Sequence, residues 1–131
     1  MHAAGAIGLG CAAIAAAPGV AAAATDGLAL VRQLQPGLWS MRYREGAGPQ
    51  NICVRSGLEL LELQGRRGNC RRTVVESDAS TLAVQFSCPS SGYTRTAIRR
   101  ESNNLVQIQS QGLRDGSPFS FYAEARRVGG C

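Results

Sequence analysis

The sequence predicts a mostly β protein: an antiparallel meander of about seven strands in a curved sheet or small barrel, with one short helix and two disulfides. Two observations predict this fold. Apolar and polar residues alternate over repeated short runs, and clusters of Gly, Pro, Asn, Asp and Ser separate these runs. Four cysteines follow the apolar N-terminus, and an even number in an exported chain indicates disulfides.

Residues 1–24 are predicted to be a signal peptide. This stretch contains no Asp, Glu, Lys or Arg, and it closes on "GVAAAA" before Thr25. An apolar segment followed by small residues is typical of a secretory signal and its cleavage site. A membrane-spanning helix is one alternative, which Pro18 and several glycines disfavour. A lipoprotein site at Cys11, in "IGLGC", is the other alternative.

Residues 25–131 are predicted to form a single exported β-domain, periplasmic or extracellular, with no membrane span. This part has about 107 residues, enough for one modest core. It holds all the charge of the protein, whose 14 basic and 9 acidic residues give a net charge of +5. Every one of these basic residues is an arginine.

The predicted strands follow the alternating runs in order. Their separators, "EGAGP", "SDAS", "PSSG", "NN" and "RDGSP", have the composition of hairpin turns. Tight turns join strands that are neighbours in the sheet, which favours an antiparallel meander. The strands are predicted at 38–44, 51–55, 70–77, 81–88, 93–102, 105–113 and 118–128.

One face of each strand carries the predicted core. Residues two apart point to the same side of a sheet, so the apolar members of each run mark the buried face. A ligand shelf built from the same aromatic rings is the alternative. The predicted core residues are Trp39, Met41, Tyr43, Leu82, Val84, Phe86, Phe119 and Phe121, joined by Val106, Ile108, Ala123 and Ala125.

The short helix is predicted after the second strand. Ser56 and Glu59 have the spacing of a capping box, just before "LLEL". The leucines of this segment would pack onto the sheet, while Glu59 and Glu62 would face outward.

The spacing of the cysteines favours one pairing. A loop at 78–80 places Cys70 directly opposite Cys88, and opposed residues have Cα atoms ~4.5–5.5 Å apart, within reach of a disulfide. A register shifted by one residue would separate the two, and a bulge would reconcile both registers. The favoured pairing leaves Cys53 for Cys131, one of three connectivities that four cysteines allow.

Four motifs occur in a characteristic order: "QPGLW", a "C-V" strand before the short helix, a "C…C" hairpin, and the ending "RRVGGC". Together they resemble the domain-of-unknown-function 3617 family, small exported bacterial proteins that begin with PGLWE and end with RRxGxC. Ser40 replaces the usual acidic residue. The resemblance implies an exported β-domain with cysteines and no catalytic residues. The matching positions are Pro36, Gly37, Leu38, Trp39, Cys53, Cys70, Cys88, Arg126, Arg127, Gly129 and Cys131.

Groups that catalytic sites use are missing from the sequence. The one histidine, His2, lies in the predicted signal. Residues 25–131 therefore contain no imidazole group that could act as a general base or bind a metal. There is no P-loop and no dinucleotide fingerprint. The sequence therefore predicts a protein that is not an enzyme, with no cofactor and no metal.

Arginine is the feature that the fold leaves unexplained. Guanidinium groups bind phosphates and carboxylates in a bidentate manner, so the sequence predicts a non-catalytic binding or structural module that contacts anionic envelope polymers or a protein partner. A solvated charged surface is the alternative. Arg42 and Arg44 share one strand face, and several other arginines occur in pairs. The candidate anion-binding residues are Arg66, Arg67, Arg71, Arg99, Arg100 and Arg126.

Two other functions stay open at this point. Small disulfide-bonded β-domains inhibit secreted hydrolases, and the "SSGY" turn at 90–93 could enter an active-site cleft. A hollow barrel would instead favour a carrier of small apolar ligands.

Overall fold

The computed structural model of the chain describes residues 1–5, 8, 10–15, 26–63 and 69–131. Within these ranges, seven antiparallel strands form one open sheet, as the alternating runs predict. Each strand begins and ends within one residue of its predicted bounds. The elements are the helix α1 (Ala29–Arg32), β1 (Gly37–Tyr43), β2 (Gln50–Val54), a 3₁₀ helix (Leu58–Leu60), β3 (Arg71–Ser77), β4 (Thr81–Cys88), β5 (Gly92–Ser102), β6 (Leu105–Arg114) and β7 (Ser117–Gly129).

The strand order is β2-β1-β7-β6-β5-β4-β3. Strands β3 to β7 follow one another as a meander, whereas the β1–β2 hairpin joins the sheet through β7. In this long-range pairing Met41 lies opposite Ala125 and Tyr43 opposite Ala123. Strands β2 and β3 are the two edges, so the sheet is open.

The core lies on one face of the sheet, which we call the inner face. Trp39, Met41, Leu82 and Val84 are fully buried there, and Phe86 is 6% exposed. The rings at the rim are partly exposed: those of Tyr43 and Phe121 meet edge to face at 5.4 Å, and those of Phe119 and Phe121 stack at 6.5 Å. Packed side chains therefore fill the inner face.

Two segments outside the strands cover the inner face. Leu28, just before α1, and Val31, within it, are nearly or fully inaccessible to solvent. Leu60 and Leu61, at the 3₁₀ helix, are buried in the same way. The sequence predicted only one helix, at the second of these places, and no helix in the lead-in before β1. The predicted helix is a single 3₁₀ turn. Helix α1 has four residues, and burial of its apolar side chains stabilises so short a helix where propensity alone would not.

The covering segments touch each other at Gly57, which has a φ of +90°. A Cβ atom at this position would lie 2.1 Å from the carbonyl oxygen of Val31. Only glycine tolerates both this backbone conformation and this close approach. The approach holds the 3₁₀ segment against α1.

Ser56 and Glu59 contact each other before "LLEL", as their spacing predicts, but the N-cap of the 3₁₀ turn is Gly57 and not Ser56, so the predicted capping box forms only in part. The carboxylate of Glu59 accepts hydrogen bonds from the backbone N–H groups of Ser56 and Arg55 at 2.9 and 3.0 Å, and the Ser56 hydroxyl accepts one from the N–H of Leu58 at 3.2 Å. Burial alone would raise the pKa of Glu59. The hydrogen bonds outweigh it, and the pKa lies below its ordinary value.

Both predicted disulfides are confirmed. Cys70 and Cys88 are bonded, with Cα atoms 4.2 Å apart, and Cys53 and Cys131 are bonded, with Cα atoms 5.7 Å apart. A bulge in β3 near Val75 shifts the register of the β3–β4 hairpin, so the cysteines face each other while the strand ends still pair. The second bridge fastens the end of β7 to β2 across β1.

Candidate anion-binding face

The outer face of the sheet, opposite the core, carries a continuous row of polar residues across five strands. In register, Thr81 lies opposite Arg99, Arg99 opposite Gln107, Gln107 opposite Glu124, and Glu124 opposite Arg42. Directly opposed residues project from the same face of a sheet. We call these five residues the first row.

A second row lies beside the first. Ala83 is opposite Ala97, Ala97 opposite Gln109, and Gln109 opposite Tyr122. The row ends at Arg44, whose backbone N–H donates to the carbonyl oxygen of Tyr122 at 2.9 Å. The Arg44 guanidinium lies 4.8 Å from the centre of the Tyr122 ring, a cation–π contact.

The two rows line a groove of about 620 Å³ on the outer face. Its walls include Arg42, Arg44, Arg99 and Tyr122, and Ala97 lies between Ala83 and Gln109 in the second row. The alternation of the strands explains the groove, because each core residue is followed by one that points outward. Small residues at neighbouring positions leave the central space between the arginines.

The charge of this groove is strongly positive. Arg42 and Arg44 are exposed and form no ion pair with any carboxylate, and all nine acidic residues of the protein lie within the described ranges. Arg99, whose side chain is 62% exposed, lies 3.3 Å from the Glu101 carboxylate. Exposed ion pairs of this kind contribute little and open readily, so Arg99 remains free to bind a ligand.

Glu124 is the only carboxylate in the groove lining. The Gln107 amide donates to one of its oxygens at 3.3 Å, and the Arg126 guanidinium lies 3.7 Å from the other. The groove therefore combines three arginines with one carboxylate, which is held in place from both sides.

The structure distributes the predicted anion-binding residues over several places. Arg99 lines the groove and Arg126 borders it through Glu124, while Arg71 lies on β3 outside its lining. Arg100 binds the carbonyl oxygen of Ala79 at 3.0 Å and also the side chain of Asn103, so it has a structural role. Arg66 and Arg67 lie outside the described residues.

Sequence reasoning placed Arg42 and Arg44 on one strand face but did not include them among the candidate residues. The available signal was their i, i+2 spacing in a strand whose other face is apolar. Their proximity to Arg99 depends on the pairing of β1 with β7, which links residues far apart in the chain.

No three His, Cys, Asp or Glu side chains converge within the described ranges. In the same part of the chain, no helix has the length and apolar content needed to cross a membrane.

The comparisons with known proteins give no relative. No family model matches the chain, no curated protein is significantly similar to it, and no solved structure matches its fold significantly. The resemblance to the domain-of-unknown-function 3617 family stays a prediction.

Proposed function

We propose that the protein is a non-catalytic, exported binding module whose outer face binds anionic polymers of the cell envelope. One observation carries the proposal: Arg42, Arg44 and Arg99 surround a single groove that contains one carboxylate. Guanidinium groups bind carboxylates and phosphates through paired, charge-assisted hydrogen bonds. A groove lined mostly by one sign of charge also concentrates the field and attracts polyanions.

Export and the lack of catalysis rest on the sequence and the disulfides. Two bridges fit an oxidising compartment, and the small-residue end of residues 1–24 fits a cleaved signal. The alternatives have no comparable support. Core side chains fill the inner face, where an apolar ligand would bind.

We expect the exported protein to begin near Thr25 and to have no free thiol. Cleavage there removes Cys11, and the other four cysteines are bonded in pairs. For protein from the exported fraction, the intact mass identifies the first residue and thiol titration counts the free thiols. Two or more titratable thiols, or a mass that retains residues 1–24, would contradict this, and a lipid adduct on Cys11 would indicate a lipoprotein.

Replacing Arg42 and Arg99 with Gln is expected to weaken binding of inorganic polyphosphate about tenfold per residue, because each change removes a charge-assisted hydrogen bond. Isothermal titration calorimetry at low ionic strength measures the affinity. Binding by the unmodified protein should also fall steeply as salt is added.

The matched control replaces Arg55 and Arg72 with Gln. Both are exposed, both lie outside the groove lining, and the loss of net charge is the same. This control should bind polyphosphate nearly as well as the unmodified protein. Equal losses in the two double variants would show that net charge, and not the groove, binds the polymer. If neither polyphosphate nor any other anionic polymer binds at low salt, the polyanion function is rejected and a protein partner is favoured.

A further inference from the structure

We infer that the polymer bound in this groove is an acidic polysaccharide, a chain of hydroxylated rings that carry carboxylates. The inference rests on the proposed function and names the class of its ligand. Three properties of the groove support it. Hydrogen-bond acceptors lie among the arginines, few aromatic or apolar side chains face the groove, and the residues of the first row follow a particular order.

The groove presents hydrogen-bond acceptors as well as arginine donors, so a ligand that both donates and accepts fits it better than one that only accepts. The Glu124 carboxylate supplies acceptor oxygens, and the side-chain amides of Gln107 and Gln109 each supply an acceptor oxygen as well as donors. Within the described part of the chain, the Gln109 side chain makes no hydrogen bond. Polyphosphate offers acceptors and negative charge, which would face Glu124 unfavourably. Sugar hydroxyls donate and accept, so they satisfy the amides and the carboxylate together.

The aromatic content of the outer face disfavours a single-stranded nucleic acid. Such ligands stack successive bases on a series of aromatic rings. The groove lining holds only one outward aromatic residue, Tyr122, and the Arg44 guanidinium already lies over its ring. The single Trp and the three Phe belong to strand positions that face the core.

Few apolar side chains face the groove for a lipid to contact. Ile98, Ile108 and Ala123 are among the lining residues, but their side chains are buried on the inner face. This leaves the methyl group of Ala97 and the ring of Tyr122. An acyl chain needs a largely apolar pocket to leave water. Anionic headgroups alone would use the arginines and leave the acceptor oxygen of Gln109 without a donor.

The order along the first row fits an extended chain of acidic sugars. Arg99 and Arg42 are the two arginines of this row, with Gln107 and Glu124 between them. Three strand spacings separate the two arginines, about 14 Å between Cα atoms. An oligomer with an anionic group on each ring can reach both arginines while its hydroxyls lie over Gln107 and Glu124.

The test compares three probes at equal ionic strength: an oligogalacturonate, a neutral malto-oligosaccharide of the same length, and inorganic polyphosphate. We expect the oligogalacturonate to bind at least about tenfold more tightly than either of the others, because it alone offers both carboxylates and hydroxyls. Calorimetry of the full chain measures the three affinities.

Gln109→Met removes the amide and keeps the length of the side chain. It should weaken oligogalacturonate binding about fivefold, the effect of one neutral hydrogen bond, and leave polyphosphate binding unchanged. Gln111→Met is the matched control, since Gln111 is also an exposed glutamine of β6 but lies outside the groove lining. This control should leave all affinities unchanged, and thermal unfolding verifies that both variants fold.

Two outcomes would overturn the inference. Polyphosphate binding that equals or exceeds oligogalacturonate binding, with the arginine dependence intact, would reject the polysaccharide and retain the polyanion function. Tighter binding of single-stranded DNA or of anionic phosphatidylglycerol vesicles would replace the polysaccharide with that ligand class. If no anionic probe binds, the proposed function itself fails.

Discussion

Replacing Cys53 with Ser is expected to lower the free energy of unfolding by about 4 kcal/mol. The bridge to Cys131 spans a sequence separation of 78 residues, and in the chain-entropy account a loop of this length constrains the unfolded chain strongly. The bridge also fastens the C-terminal end of β7 to β2, beyond the last pairing of β7 with β1, at Gly129. Urea denaturation followed by circular dichroism measures the loss.

The partner variants make this prediction specific. Cys131→Ser should lower the free energy of unfolding as much as Cys53→Ser does. The double variant should lower it little further, because the two changes remove the same bridge. Cys70→Ser should cost about 3 kcal/mol, since its loop has a sequence separation of 18, and its effect should add to that of Cys53→Ser. Additive losses for Cys53 and Cys131 would contradict the observed pairing.

Replacing Trp39 with Ala is expected to lower the free energy of unfolding by about 3–5 kcal/mol, the range for large-to-small changes in a core. Trp39 is fully buried on the inner face, and its indole N–H donates to the carbonyl oxygen of Gln35 at 2.9 Å. The change therefore leaves a cavity and removes the donor for that carbonyl. Because the protein has one Trp, circular dichroism and not intrinsic Trp fluorescence must follow unfolding.

Two comparisons separate the parts of this effect. Trp39→Phe keeps most of the ring and removes the indole donor, so it should cost about 1–3 kcal/mol less than the Ala change. Val128→Ala truncates a β7 side chain that is 57% exposed, and it should change stability by no more than about 0.5 kcal/mol. A loss below that value for Trp39→Ala would show that the inner face is not the core.

These stability predictions concern the inner face, and the binding predictions concern the outer face of the same strands. Arg99 and Gln109 lie next to the buried residues Ile98 and Ile108, yet their side chains are exposed on the opposite side. Substitutions in the groove should therefore change affinity with little change in stability, as exposed positions generally do. This separation lets binding be tested without unfolding the protein.

The sequence alone determined the strands, their faces and the local hairpins. The strand Thr81–Cys88 lies where its apolar alternation and flanking turns predict, because both signals come from neighbouring residues. The same local register predicted the pairing of Cys70 with Cys88, and the bulge near Val75 accommodates it. The contact between Ser56 and Glu59 was equally predictable, because the two residues are only three positions apart, although the 3₁₀ turn has Gly57 as its N-cap.

Only the tertiary structure decided the features that depend on residues far apart in the chain. The pairing of β1 with β7 sets which arginines share a groove, and no local pattern encodes a register between strands so distant in sequence. Helix α1 was not predicted because its four residues are stabilised by burying Leu30 and Val31 under the sheet, not by helix propensity. The first row is likewise a product of long-range registers, since it joins Thr81 to Arg42 across five strands, and backbone pairing over the whole sheet fixes it.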